Sequence, residues 1–231
     1  MRRFLISVAV AALLAAAALP TAGATQKPNV FPVQSHPFGL TYPEWQVKWF
    51  QWQFGTTAGT AAALDETGAA CSGGLQEHVW FLAIVSHPGT TVRSCTLPAG
   101  TPLFVISVAN ECSNIEPPPF FGQTEAELRA CAAEGFDAVF SGPVSVSVDG
   151  SEVPDLRTFR VQTPLFQYTL PEGNLYGFPA GTTATAAIQD GMFVMVKPLR
   201  PGTHVVAIHI ESPVFGTVDE IYNLTIVAGR R

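Results

Sequence analysis

The stretch HVWFLAIV (78–85) puts apolar side chains on both sides of a strand. Alternate residues of a strand project to opposite faces. Val79, Phe81, Ala83 and Val85 therefore share one face, and Trp80, Leu82 and Ile84 the other. Segments 102–108 (PLFVISV) and 192–197 (MFVMVK) read the same way. A strand apolar on both faces has to be covered on both. Other segments differ: in 143–148, Val144, Val146 and Val148 alternate with Ser145 and Ser147, and in 157–162, Phe159 and Val161 alternate with Thr158, Arg160 and Gln162. Those have one dry and one wet face. One sheet of this protein therefore needs a further layer outside it.

The stretch YPEWQVKWFQWQFG (42–55) can supply that layer. It holds three of the four tryptophans of the chain. Thr41 is an N-cap, Glu44 completes a capping box, and Gly55 is a stop signal, so a helix is predicted between them. At about 100° per residue, Tyr42, Trp45, Trp49 and Trp52 form one stripe and Val47, Phe50 and Phe54 a second. Gln46 and Gln53 lie between the stripes, and Glu44, Lys48 and Gln51 leave only a narrow polar side. Two readings compete. Trp45, Trp49 and Trp52 are either a stacking platform for a glycan or a partner, or the buried face of a helix that covers the two-faced strands. The second is expected, because the uncovered sheet and the available helix match. Gln46 and Gln53 should then hydrogen-bond to the sheet or to a loop.

From residue 77 onward the pattern is strand and turn. Beyond the segments above, strands are predicted at 91–95, 165–170, 183–188, 203–210 and 218–227. The turns HPGT, LPAGT, VDGS, LPEGN, QDG and RPGT separate them. A second helix is expected at 124–134, with Thr124 and Glu127 as a capping box and Gly135 as its end. Residues 56–74, rich in Ala, Thr, Ser and Gly, read as loop, and residues 25–40 as an extended lead-in. The expected fold is mainly β: a β-sandwich, immunoglobulin-like or jelly-roll-like, with two α-helices, forming one domain over 41–231.

The N-terminus carries Arg2 and Arg3, an uncharged apolar run from Phe4 to Leu19, then Pro20 and the small triplet Ala22-Gly23-Ala24. That order is the signature of a signal peptide over 1–24, too short for a membrane anchor. A secreted or periplasmic location follows. The four cysteines, Cys71, Cys95, Cys112 and Cys131, form no C-x-x-C pair, so two structural disulfides are expected rather than a metal site. Three pairings are possible, and Cys71–Cys95 with Cys112–Cys131 is preferred because each joins segments separated by one predicted element. The formal net charge of −6 argues against nucleic acid and anionic membranes as partners.

Chemistry candidates are sparse. Glu111, after the strand 102–108, and Asp190, in the QDG sequence, are the best-placed carboxylates for a glycosidase-like pair. The histidines lack convergent ligand spacing, so no metal and no cofactor is implied. No G-x-S-x-G, H-E-x-x-H or P-loop occurs. Phe120 and Phe121, in PPPFFG (117–122), form a modest candidate surface for a partner.

Several stretches together resemble a family of uncharacterised exported bacterial proteins: EWQVKWFQW (44–52), VWFLA with RSCTLPAGTPLF (79–83 and 93–104), FRVQTPLFQYTLPEGN (159–174) and DGMFVMVKPLRPGTH (190–204). The last is also similar to the closing strands of immunoglobulin-like modules. The resemblance implies export and one continuous domain, and transfers no functional residue. The leading expectation for function is a non-catalytic envelope or extracellular binding protein for a protein or glycan ligand. The rivals are a secreted carbohydrate-active enzyme using Glu111 and Asp190, and a structural surface subunit.

Overall fold

A computed structural model describes residues 27–55, 57–84 and 87–228. The signal-peptide reading at 1–24 lies outside the described residues. In chain order the elements are α1 (Tyr42–Gly55), α2 (Thr57–Leu64), β1 (Leu75–Gln76), β2 (Val79–Phe81), β3 (Gly89–Pro98), β4 (Leu103–Ser113), α3 (Glu125–Val139), β5 (Val144–Val148), β6 (Ser151–Glu152), β7 (Arg160–Gln162), β8 (Phe166–Thr169), β9 (Thr183–Val196), β10 (Gly202–Ser212) and β11 (Gly216–Val227). Short 3-10 turns occupy Pro37–Gly39, Cys71–Gly74 and Leu156–Phe159.

The strands form two mixed sheets of a β-sandwich. The first runs β1-β2-β4-β9-β7, with β8 also pairing with β9. Its β2–β4 pair is parallel and the others antiparallel. The second runs β3-β11-β10-β5-β6, with β3 and β11 parallel. In this second sheet burial alternates along β3, β10 and β11, so one face is dry and one wet. In the first sheet β2 is buried throughout, β4 nearly so, and β9 from Ala187 onward. That is the two-faced pattern read from the sequence.

The outer cover is α1. Trp45 packs on Phe81 and Phe104, Trp49 on Phe193, and Phe50 on Phe166 and Tyr168. The capping box forms: the Thr41 amide donates to Glu44 Oε2 at 2.7 Å and the Glu44 amide to Thr41 Oγ1 at 3.3 Å. Tyr42 locks the helix to the sheet, donating to Phe31 O and accepting from the Met195 amide. Burial pushes its phenol up to about 12. The lead-in is tied to the same edge through the Val30–Val196 bridge. α3 covers the opposite face of the first sheet at its far end, fastened by Cys112–Cys131. Cys71–Cys95 forms the second disulfide, so both preferred pairings are present.

Four expectations are corrected. Residues 57–64 (TAGTAAAL) are helix, not loop, giving three helices among the described residues. Alanine supplies the propensity there, and α2 leans on α1. α3 runs past Gly135 to Val139, because that glycine is a place of close approach and not a stop: a Cβ there would lie 2.4 Å from Asn110 Nδ2. QDG is no turn. Residues 183–196 are one strand, and Gly191 faces Ala109, where a Cβ would come within 2.7 Å of the Ala109 Cβ. Glu111 lies inside β4, which extends to Ser113.

Candidate functional site

The aromatic helix is not a platform. Trp45, Trp49 and Trp52 are 0%, 1% and 4% exposed. Each indole donates to a main-chain oxygen: Trp45 to Pro37, Trp49 to Leu82 and Trp52 to Gly73, all at 2.8–2.9 Å. A ring held edge-on in a core and bonded at its nitrogen offers no face to a sugar. Gln46 and Gln53 are buried and bonded as expected, Gln46 Nε2 to Gln189 O in β9 and Gln53 Nε2 to Ile84 O in the segment after β2. Their Oε1 atoms, and that of Gln189, are buried without a hydrogen-bond partner.

Beside these amides lies a cavity of about 290 Å³. Trp49, Phe54 and Ile84 wall it on the helix side, and Ile106 to Ala109 form its floor along β4. Ile210 and Val218 of the second sheet close it, together with Phe215 in the β10–β11 turn and Phe140 at the end of α3. The β4–β9 register shifts between Ile106 and Val108, within this floor. Two polar residues line the cavity. Ser107 is engaged, its hydroxyl donating to Met192 O at 2.8 Å. Gln189, 3% exposed, is the other, and its Oε1 is buried without a hydrogen-bond partner.

The two carboxylates expected to act together do not meet. Directly opposed residues of an antiparallel pair share a face. Glu111 is opposite Gln189 and Asn110 opposite Asp190, so Glu111 and Asp190 project to opposite faces of the sheet. Asp190 looks toward α3 and is fully engaged: Arg160 reaches both of its oxygens, at 2.8 and 3.1 Å, and Gln162 Nε2 adds a bond at 3.1 Å. Arg160 also pairs with Asp137 and lies 4.0 Å over the Phe136 ring. Asp190 is the anchor of α3, and no bond can be flanked by it and Glu111.

Glu111 has a different companion. On the α1 face it lies against Glu116, Tyr168 and Tyr176. Tyr176 donates to Glu111 Oε2 at 3.4 Å, Ser113 to Glu116 Oε2 at 3.0 Å, and Tyr168 to Ser113 Oγ at 3.3 Å. Glu111 Oε1 is buried without a donor. Burial raises the Glu111 carboxyl well above its ordinary range, with the charge of Glu116 as second cause. Burial raises Glu116 as well. Loss of water and the mutual charge of the pair thus favour the protonated form of Glu111 beside Glu116. An open depression of about 560 Å³ lies over Glu116, lined by Ile115, Pro117, Phe120, Tyr176 and Phe178.

Glu116 escaped the sequence reading. The only signal was a second glutamate five residues after Glu111, beyond the strand end, where no periodicity relates the two. Phe120 and Phe121 are 38% and 39% exposed, so the sequence-predicted surface is accessible. His209 sits on the wet face of the second sheet, 2.7 Å from Asp219 and 3.4 Å from Glu211. No group of three or more His, Cys, Asp or Glu able to hold a metal occurs among the described residues. No helix there is long and apolar enough to cross a membrane.

No family model and no curated protein matches the chain. A solved structure entitled "Structure of PbICP-C in complex with falcipain-2" aligns with 64% of this chain and 98% of that chain, at 11% identity and a TM-score of 0.28. A likeness at that score carries no functional argument.

Proposed function

We propose that this is an exported protein that works by binding, and that the cavity between α1, β4 and the second sheet takes a compact, mainly apolar molecule bearing one hydrogen-bond donor. Two disulfides suit an oxidising compartment. The observation that carries the reading is a mainly apolar cavity whose wall includes the buried Gln189, a side chain with an Oε1 atom lacking a hydrogen-bond partner. An acceptor left so costs about 1–3 kcal/mol, which a ligand donor would recover. The cavity volume is near the lower end of small-molecule sites, about 300–1,000 Å³.

Trp49 lines the cavity, so its fluorescence reports occupancy. Phenol and toluene are the probes, alike in shape and different in one donor. Phenol should bind more tightly, Ile84→Trp should block both by filling the cavity from its wall, and Gln189→Leu should erase the preference for phenol. Absence of binding by either probe to the folded protein, or binding unaffected by Ile84→Trp, refutes the assignment.

A further inference from the structure

The acid pair at Glu111 and Glu116 lacks a countercharge. Its neighbours are Ser113 on β4, Tyr168 on β8 and Tyr176 in the turn after β8, all neutral side chains. Among the described residues neither glutamate forms an ion pair with Lys, Arg or His. A buried carboxylate is ordinarily paired or neutralised. Glu111, 9% exposed and with Oε1 lacking a donor, accepts from Tyr176 and neighbours Glu116, both of which line the open depression. The remaining walls of that depression are the rings of Phe120 and Phe178 with Ile115 and Pro117. Three aromatic side chains and one carboxylate therefore line the depression, with no basic side chain among them.

We propose that this depression binds a small organic cation, a quaternary or alkylated ammonium group, seated among Phe120, Tyr176 and Phe178 over the Glu116 carboxylate. Ring faces attract such cations through their quadrupole, and the attraction grows as water is excluded. The acid pair couples this binding to pH. The positive charge of the cation lowers the proton affinity of both carboxyl groups, so binding is accompanied by net release of protons from the pair to solvent. No other bond forms or breaks. Binding therefore strengthens as pH rises through the titration of the pair. The site is separate from the cavity lined by Gln189, and its ligand is of a different class.

Choline chloride is the probe, with 3,3-dimethylbutan-1-ol as its neutral isostere and sodium chloride as the ionic-strength control. Isothermal titration of the full mature chain in two buffers of different ionisation enthalpy reads affinity and proton release together. Choline should bind and the alcohol should not, with a buffer-dependent heat that corresponds to proton loss. Phe120→Ala, at an exposed position that should leave folding intact, should weaken choline about twofold to thirtyfold, the span of a cation–aromatic contact. Glu116→Gln should abolish binding. Glu111→Gln should keep a carboxylate under the ligand yet remove the proton release. The cavity-filling Ile84→Trp variant should bind choline normally, so failure of the apolar cavity and failure of this site are told apart. Equal binding of choline and the alcohol, or choline binding indifferent to Phe120→Ala, overturns the proposal.

Discussion

Gly191→Ala tests the reading of the QDG sequence as the middle of a strand. An ideal Cβ at Gly191 falls 2.7 Å from Ala109 Cβ, 2.8 Å from Phe193 Cε2 and 3.0 Å from Val108 O. Carbon atoms in good contact sit at about 3.5–4.0 Å, so neighbours must yield by roughly 1 Å. They have little freedom, because Phe193 is fully buried and stacked on Phe104. Overpacking of this kind costs about 1–3 kcal/mol. Alanine recovers about 0.5–1 kcal/mol over glycine in a strand by restricting the unfolded chain. The net expectation is a loss of about 1–2 kcal/mol.

Ala109→Gly distinguishes this cause from any other. Alone it should cost about 0.5–1 kcal/mol, the entropy of a strand glycine. Combined with Gly191→Ala it removes the shortest of the three contacts. The double variant should therefore be more stable than the sum of the single effects by about 1 kcal/mol, within the range for touching residues. Urea unfolding followed by tryptophan fluorescence measures all four proteins. Additivity within about 0.5 kcal/mol, or a neutral Gly191→Ala, would refute the close-approach argument.

Trp49→Ala should cost about 3–5 kcal/mol, since it empties the space against Phe193 and strips Leu82 O of its donor; a midpoint shift below about 1 kcal/mol would contradict burial of the helix. The Glu111 carboxyl is raised in the folded state above the ordinary 4.5, so the native state holds more protons than the unfolded chain. Its stabilising contribution is full below about pH 4.5 and is lost as pH rises through the raised value. Glu111→Gln should flatten that decline in urea midpoints between acid and neutral pH, and an unchanged slope would count against the pair. Gln46→Met replaces a buried amide whose Oε1 is orphaned and whose Nε2 bond to Gln189 O is 3.4 Å long. Thermal melts should show a neutral change or a gain of about 1 kcal/mol, and a large loss would mean the amide is better bonded than its geometry indicates.

Gly191 also shows where the sequence stops being readable. Asp149-Gly150 and Asp190-Gly191 are the same dipeptide. The first turns, with both residues at positive φ, 52° and 76°, and Asp149 then holds the Val205 amide and the His204 ring. The second runs straight, because Arg160 and Gln162 from β7 satisfy the aspartate and Ala109 across the pair leaves room only for hydrogen. The difference is tertiary, and no local rule contains it. Gly135 was misread for the same reason. By contrast, the two-faced strands, both capping boxes and the bonding of Gln46 and Gln53 were legible, since periodicity and short-range hydrogen bonds fix them. The Glu111–Glu116 contact was not, because it depends on how the chain folds back after Ser113.

The interface between α1 and the first sheet divides into two halves with different chemistry. One half is aromatic: Trp45, Trp49, Phe81, Phe104 and Phe193 interlock with every indole nitrogen bonded. The other is polar and incompletely satisfied: Gln46 reaches Gln189, Gln189 is opposite Glu111, and each of the three keeps a buried oxygen without a donor. Stability alone favours filling such positions with apolar side chains, since each orphaned acceptor costs about 1–3 kcal/mol. The aromatic half already supplies the cohesion, so the polar half is free to be frustrated. Its unpaired acceptors lie beside the apolar cavity on one side and the acid pair on the other. Gln46, Gln189 and Glu111 thus bring three unmet acceptors between the two hollows that the proposed ligands would enter.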